Sequence, residues 1–451
     1  MGKIDIIKKI EQSGHQKIKF AVCDIDGILR AKTLHIDKFK EIADATIGFC
    51  DVVFGWDAND VCYDQVEFTG WHTGYPDKKA RIDLDTYRTI PWDNNIPYFL
   101  GDFDNGEDHV AVCPRSLIKK IIRQAHELGY RGMFSQEFEW FNFIGTPNEL
   151  AAKAYQDLTP ISPGMFGYSQ LRPTLYQAYF NELFDLLAGF NIPLETLHTE
   201  TGPGVYEAAI CYDETLAAAD KATLFKTAVK EIASRHGIVA SFMAKWNEKL
   251  PGCSGHVHQS LWDTDGSRNL FYSGNPKAPM SELMQSYLAG QLLCLPDILP
   301  MYAPTINSYK RLRDGAWAPT TVSWGYDNRT TAIRVINGDE KSTRLEMRVA
   351  GSDSNPYLAM AASLASGLYG IKNNLKLAIP EVTGNAYERK DFVKLPANLL
   401  DAARRMGQSP IANELFGEAF TGHFTKTREW EWREFAKAVT DWELKRYFEI
   451  I

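Results

Sequence analysis

Phe134-Ser-Gln-Glu137-Phe-Glu139-Trp140 is the stretch on which the reading of the fold turns. As a strand, it sets Glu137 and Glu139 on one face and Phe138 and Trp140 on the other, because successive strand side chains point to opposite sides of a sheet. The aromatic face needs a packed layer behind it. The carboxylate face needs cations or basic groups, since two unpaired carboxylates repel and one then takes up a proton.

The same grammar recurs downstream. His198-Thr-Glu200-Thr-Gly-Pro-Gly204-Val-Tyr-Glu207 carries a Gly-Pro-Gly turn able to fold a strand back so that Glu200 and Glu207 approach. Gly252-Cys-Ser-Gly-His256-Val-His258-Gln-Ser260 offers two histidines at strand spacing, and Arg344-Leu-Glu346-Met-Arg348 adds a fourth polar face. Each alone is compatible with a solvated or structurally satisfied strand. Together they form an oxygen-rich donor set with occasional imidazole, which suits Mg²⁺ or Mn²⁺, and the lack of cysteine clusters speaks against zinc.

A basic set follows inside an acidic chain: Lys310, Arg311, Arg329, Arg334, Arg344 and Arg348. Guanidinium groups grip carboxylate or phosphate with two prongs. Carboxylates for metal followed by arginines for phosphate make a coherent phosphoryl-transfer site.

The chain has 451 residues, 45% hydrophobic and 24% charged, with a formal net charge of −8. Those values describe an ordinary globular protein and leave no basic face for nucleic acid or an anionic membrane. The length favours a small domain plus a large one. Residues 1–108 alternate in short runs (Lys17 to Ile28, Asp51 to Tyr63) and read as a small, mainly β domain. The acidic stretch Gly101 to Asp108 and a helical pattern after Pro114 put the boundary near 108–114. Residues 112–451 mix strands (131–143, 194–211, 239–246, 254–262, 319–336, 343–350) with helices (about 172–190, 213–236, 279–296, 355–374, 396–406, 428–445). That mixture lacks a βα rhythm, so the class is α+β. Seven scattered cysteines without C-x-x-C spacing, an N-terminus without a signal-like apolar core and no bilayer-length apolar run point to the cytoplasm.

In their order, these motifs resemble the glutamine synthetase family (class I-like) over nearly the whole chain, with Asn355-Pro-Tyr-Leu-Ala359 as a further match. The resemblance implies a β-grasp-like small domain and a catalytic domain with a curved antiparallel sheet flanked by helices. It implies two or three divalent cations per site, with Glu139, Glu200 and Glu207 as ligands of one and Glu137, His256 and Glu346 as ligands of another. His258, Ser260, Lys341 and Arg334 resemble nucleotide-contacting positions, and Arg329 is a catalytic arginine beside the phosphates. Arg311 and Arg348 resemble the substrate-carboxylate arginines, and Gly252 begins the substrate loop.

The implied chemistry is conversion of a carboxylate, that of glutamate, into an acyl phosphate by ATP, followed by attack of a nitrogen nucleophile. Glu200 is placed to accept a proton from that nucleophile. The resemblance also implies double-ringed homo-oligomers whose sites lie between subunits, with Asp57 of the small domain as a catalytic candidate.

Two residues depart from the family pattern. Trp317 stands where ammonia-using members carry an acid, and Pro251 where an Asn contacts the amino-acid substrate. An aromatic ring there can pack on the hydrocarbon part of an organic amine or hold its cationic head. The expectation is a γ-glutamylamine ligase. The alternatives are a glutamine synthetase using ammonia, a catalytically idle structural or regulatory paralogue, and a metal-dependent hydrolase.

Overall fold

The computed structural model describes residues 3–103 and 110–451, so Asp104 to Asp108, and with them the expected domain limit at 108, lie outside the described residues. Six strands form the first sheet: β1 (Lys17–Cys23), β2 (Leu29–His35), β3 (Ile47–Cys50), β4 (Asp77–Ile82), β5 (Arg88–Ile90) and β6 (Ile96–Asp102). Their order is β2-β1-β6-β4-β3, with β5 on β6. The β1–β6 pair is parallel and its neighbours are antiparallel.

Alternation divides this sheet between two cores. Phe20, Val22 and Phe99 face a local cluster in which Phe39 stacks on Phe99 at 4.9 Å. Ala21, Cys23, Tyr98 and Leu100 face the main core of the molecule. β6 is therefore buried along its whole length.

Two helices here, Lys3–Gln12 and Ile36–Ile42, go beyond the mainly-β expectation. Asp51 to Tyr63 is not the strand its alternation suggests, but a short 3₁₀ turn (Asp51–Phe54) followed by irregular chain. The reason is local competition: Asp57 Oδ1 accepts from the backbone N–H groups of Asn59 and Val61, offering the chain a turn in place of a ladder.

The second sheet has nine strands: β7 (Arg131–Ile144), β8 (Leu194–Thr199), β9 (Val205–Ile210), β10 (Asp213–Glu214), β11 (Ile238–Ser241), β12 (Val257–Trp262), β13 (Trp324–Tyr326), β14 (Ile333–Ile336) and β15 (Arg344–Met347). The main path runs β13-β14-β15-β12-β7-β9-β8, with β10 and β11 also on β7. It is the expected antiparallel sheet, save that β13 and β14 at its edge pair in parallel. The expected strand at 319–336 is thus two strands whose intervening turn returns the chain in the same direction. The expected helix at 428–445 is likewise two, Glu418–Lys437 and Asp441–Tyr447, because Thr440 and Glu443 form a capping box that starts the second.

Helix Pro356–Lys372 begins as its sequence predicts, with Asn355 Oδ1 accepting from the Tyr357 N–H and Pro356 at the first helical position. It is buried almost all round, chiefly among the helices Glu282–Cys294, Pro114–Glu127 and Thr215–Ser234, with β12 and β7 as its strand neighbours. Helix Glu282–Cys294 crosses it so closely that a Cβ on Gly290 would lie 2.3 Å from the Ser366 carbonyl oxygen. Asn355 Nδ2 also donates to the Asp24 and Ile25 carbonyls, tying the end of β1 to this helix. Nearby, buried Arg115 pairs with Asp83, Asp102 and Asp220 and ties the first sheet to the helix Thr215–Ser234. Among the described residues no helix is long and apolar enough to cross a membrane.

Candidate active site

One face of the second sheet collects the polar residues of six strands. On β7, Phe138 and Trp140 are buried against Phe225, each ring 5.6 Å from it, which turns Glu137 and Glu139 to the opposite side. Register does the rest. Glu139 lies opposite Glu207 on β9, and His198 on β8 lies opposite Glu207 in turn. Across β12, His258 lies opposite Glu346 on β15, which lies opposite Arg334 on β14. The turn from β8 to β9 brings Glu200 back over Glu207. It needs glycine at 204, where φ is +67° and a Cβ would lie 2.6 Å from the Asn142 carbonyl oxygen.

These side chains fall into two groups. In the first, ligand atoms of Glu137, His256 and Glu346 all lie within 4.8 Å of one another. His256 Nδ1 is 2.8 Å from Glu137 Oε1 and 3.2 Å from Glu346 Oε1, and His258 Nε2 is 3.3 Å from Glu137 Oε2. Arg334 Nη1 donates to Glu346 Oε2 at 3.0 Å, and Arg348 Nη1 donates to Glu346 Oε1. Burial works against ionisation of Glu346, but Arg348 and the two imidazoles outweigh it and hold its pKa down at about 2. Glu137 is likewise buried, yet His258 and His256 carry it well below the usual carboxylate value. Burial and the neighbouring Arg348 lower the pKa of His256 to about 4, so its ring is neutral and able to ligate.

In the second group, ligand atoms of His198, Glu200 and Glu207 lie within the same 4.8 Å. Glu139 borders it and accepts from the Ser254 N–H at 2.7 Å. Basic support here is thin. His198 Nε2 is 3.3 Å from Glu207 Oε1, and no guanidinium bonds to these carboxylates among the described residues. Burial, then the charges of Glu207 and Glu200, push Glu139 up to about 8, and burial raises Glu207 too. Glu207 in turn outweighs burial at His198 and raises its pKa. Both donor sets, mostly carboxylate oxygen with one imidazole each, fit a hard divalent cation, and the second lacks the positive charge that would let its carboxylates ionise together.

The remaining predicted residues are spread around these groups. Ser260 continues the β12 face and accepts from Trp262 Nε1. Arg311 is buried, its terminal nitrogens donating to the Val349 and Arg348 carbonyls at 2.9 and 3.1 Å. Gly252 packs against it so tightly that a Cβ would lie 3.0 Å from Arg311 Cγ. The side chain of Arg329 is exposed while its carbonyl accepts from Arg348 Nε at 3.1 Å. Lys341 is exposed in the turn before β15. Trp317 is 64% exposed in the 312–319 loop at φ +56°, so its ring is presented to solvent rather than packed in a core.

Asp57 does not join the carboxylates within this chain. It is buried beside Trp430, whose indole N–H donates to it at 3.3 Å.

Two contributors lay within reach of the sequence without being assigned. His198 stands in the quoted motif two residues before Glu200, where strand alternation already puts both on one side. Arg344 Nε donates to His258 Nδ1 at 3.1 Å, which leaves the proton of a neutral His258 on Nε2, facing Glu137. Tyr168, its ring 4.6 Å from that of His198 and tilted 30° to it, comes from a distant loop and carried no sequence signal.

Residues 111–447 match the family described as glutamine synthetase, catalytic domain. The chain belongs to the glutamine synthetase family. Type-1 glutamine synthetase 2 of Dictyostelium discoideum is 51% identical over 451 residues, covering 99% of this chain and 86% of that protein. Glutamate–isopropylamine ligase of a Pseudomonas species is 38% identical over 98% of this chain and 97% of its own length. A gamma-glutamylethanolamide synthetase of Streptomyces coelicolor is 36% identical over 96% and 92%. A solved GmaS/ADP complex shares the fold with a TM-score of 0.86 at 24% identity, covering 99% of both chains. Members of this family are ATP-dependent ligases that form C–N bonds and use divalent metal ions.

Proposed function

We propose that this chain joins the γ-carboxylate of L-glutamate to an organic amine, with ATP converting the carboxylate to an acyl phosphate that the amine then displaces. Support for the acid comes from the relatives that are named as glutamate or γ-glutamyl ligases. The observation that carries the choice of donor is Trp317, an exposed aromatic ring where an ammonia-binding acid is expected, at home beside an alkyl or aryl ammonium. A second reading, glutamine synthesis from ammonia, draws on the 51% identity to a protein named glutamine synthetase.

In this proposal Glu137, His256 and Glu346 hold one Mg²⁺ or Mn²⁺, and Glu139, Glu200 and Glu207, with His198 beside them, hold another. When bound, such cations offset negative charge on the phosphates and on the group being transferred. Arg329 and Arg334 bind the phosphate side, while His258, Ser260 and Lys341 contact the nucleotide. Arg311 and Arg348 orient the acid, and Gly252 lets the chain that starts the substrate loop pack closely against Arg311. Glu200 accepts the proton that the amine sheds on attack, since only the uncharged amine is a nucleophile.

The same proposal includes a division into a small domain (1–108) and a catalytic domain (112–451). It also includes stacked homo-oligomeric rings in which Asp57 approaches a neighbouring subunit's site, and a cytoplasmic location.

The test is phosphate release from ATP with glutamate and a panel of donors: isopropylamine, ethanolamine, aniline and ammonia. Turnover with the organic amines well above that with ammonia is expected. Turnover with ammonia alone contradicts the donor, and no turnover with any donor favours an idle paralogue.

A further inference from the structure

The segment after helix Pro356–Lys372 returns to the arginine side of the site. Asn328 Nδ2 donates to the Val382 and Gly384 carbonyls at 2.9 and 2.8 Å, and the Ala386 N–H donates to Thr330 Oγ1 at 2.9 Å. These bonds clamp residues 382–386 to the turn that carries Arg329, whose carbonyl is itself held by Arg348. Immediately beyond the clamp, a short 3₁₀ turn capped by Asn385 presents Tyr387.

The side chain of Tyr387 is half-buried, and its hydroxyl is buried without a hydrogen-bond partner. Burying a hydroxyl unpaired is costly, so such a group calls for an explanation. The charges that act on this phenol are those of Arg348, Arg311 and Asp314. Arg311 uses one N–H of each terminal nitrogen on a main-chain carbonyl, so each keeps a second N–H. Guanidinium groups can only donate, and the Asp314 carboxylate accepts from Thr320 rather than from this hydroxyl. An anion seated between the phenol and the guanidinium groups would accept from both and satisfy the hydroxyl.

We propose that Tyr387 is a specificity-determining residue of the acid-substrate pocket, its O–H donating to the carboxylate that Arg311 and Arg348 hold. The inference rests on glutamate being the acid substrate. It also makes the 382–388 segment part of the pocket wall, so that acid binding and the placement of Arg329 are linked through Asn328 and Thr330.

The experiment compares wild type with Tyr387→Phe, which keeps the ring and removes only the hydroxyl. Steady-state KM values for glutamate, ATP and amine are measured together with glutamate binding by calorimetry in the presence of ADP and Mg²⁺. A hydrogen bond to a charged group predicts a glutamate KM and Kd raised roughly tenfold or more. KM for ATP and for the amine stays unchanged, and so does the thermal midpoint. Unchanged glutamate binding in a variant whose parent binds glutamate overturns the role of Tyr387 alone. A wild-type protein that neither binds nor consumes glutamate overturns the functional reading and this inference with it. Equal losses for all three substrates, or a lowered midpoint, would assign Tyr387 to packing instead.

Discussion

The two carboxylate clusters sit side by side on one sheet yet rest on opposite electrostatics. Around Glu346 and Glu137, Arg348 and Arg334 supply the positive charge, the His256 and His258 rings lie against the carboxylate oxygens, and both carboxyl groups are driven to ionise. Around Glu139 and Glu207, His198 makes the one ion pair among the described residues and Arg311 acts on Glu139 without bonding to it, too little to offset burial, so the pKa of both carboxyl groups is raised. In the first cluster both carboxylates are already paired before any ligand arrives. The second is short of positive charge, and a divalent cation is the group that would complete it. The likeness of the two ligand lists hides this difference, which lies in what surrounds each list.

The largest expected effect separates the clusters by stability as well as by rate. Glu346→Ala leaves Arg334 and Arg348 buried or half-buried without their carboxylate. We expect a loss of about 3–5 kcal/mol in denaturant titrations in chelator, and turnover reduced at least about a hundredfold with sedimentation unchanged from wild type. Glu139→Gln, which replaces a carboxyl group that already keeps its proton in the metal-free protein, loses turnover to a similar degree but keeps its stability in chelator. Equal destabilisation by both would erase the contrast, and retained turnover in Glu346→Ala would remove that residue from the metal site.

The pH dependence carries opposite signs in the two clusters. Glu139 has a folded-state pKa raised from 4.5 to about 8, so the folded protein binds the extra proton. Its contribution to stability is full below 4.5 and is lost as pH rises towards 8. Glu346 is depressed to about 2, so its contribution is full above 4.5 and is lost as pH falls through that window. Melting temperatures of the metal-free protein should therefore fall between pH 5 and 8 relative to Glu139→Gln, and saturating Mn²⁺ should flatten that slope. A slope shared by the variant would assign it to other groups.

A smaller effect is expected at the rim. Trp317→Ala should lower the preference for isopropylamine over ammonia, read as the ratio of kcat/KM values, by about tenfold, the scale of one cation–π or apolar contact. An unchanged ratio would return Trp317 to ordinary loop surface.

The contrast also marks what the sequence could and could not reveal. Alternation around Phe138 and Trp140 was enough to put Glu137 and Glu139 on one side, and the Gly-Pro-Gly turn was enough to bring Glu200 towards Glu207. Those are local properties of a strand and a turn. Which carboxylates received arginines depended on register between β12, β14 and β15, segments up to 90 positions apart in the chain, and no local pattern encodes that. The misreading of Asp51 to Tyr63 has a local cause: an Asp side chain captured backbone N–H groups that alternation alone assigned to a ladder. The β13–β14 pair ran parallel because its turn, not its strand pattern, sets direction.

The most direct test of the two-cluster account is the proton balance of metal binding. Mn²⁺ is titrated into metal-free protein at pH 7 while released protons are counted, for wild type, Glu139→Gln and Glu346→Gln. Because Glu139 holds its proton up to about pH 8, filling that cluster should release about one proton per subunit, lost in Glu139→Gln and retained in Glu346→Gln. Mn²⁺ binding without proton release in the wild type, or with release unchanged in Glu139→Gln, would contradict it.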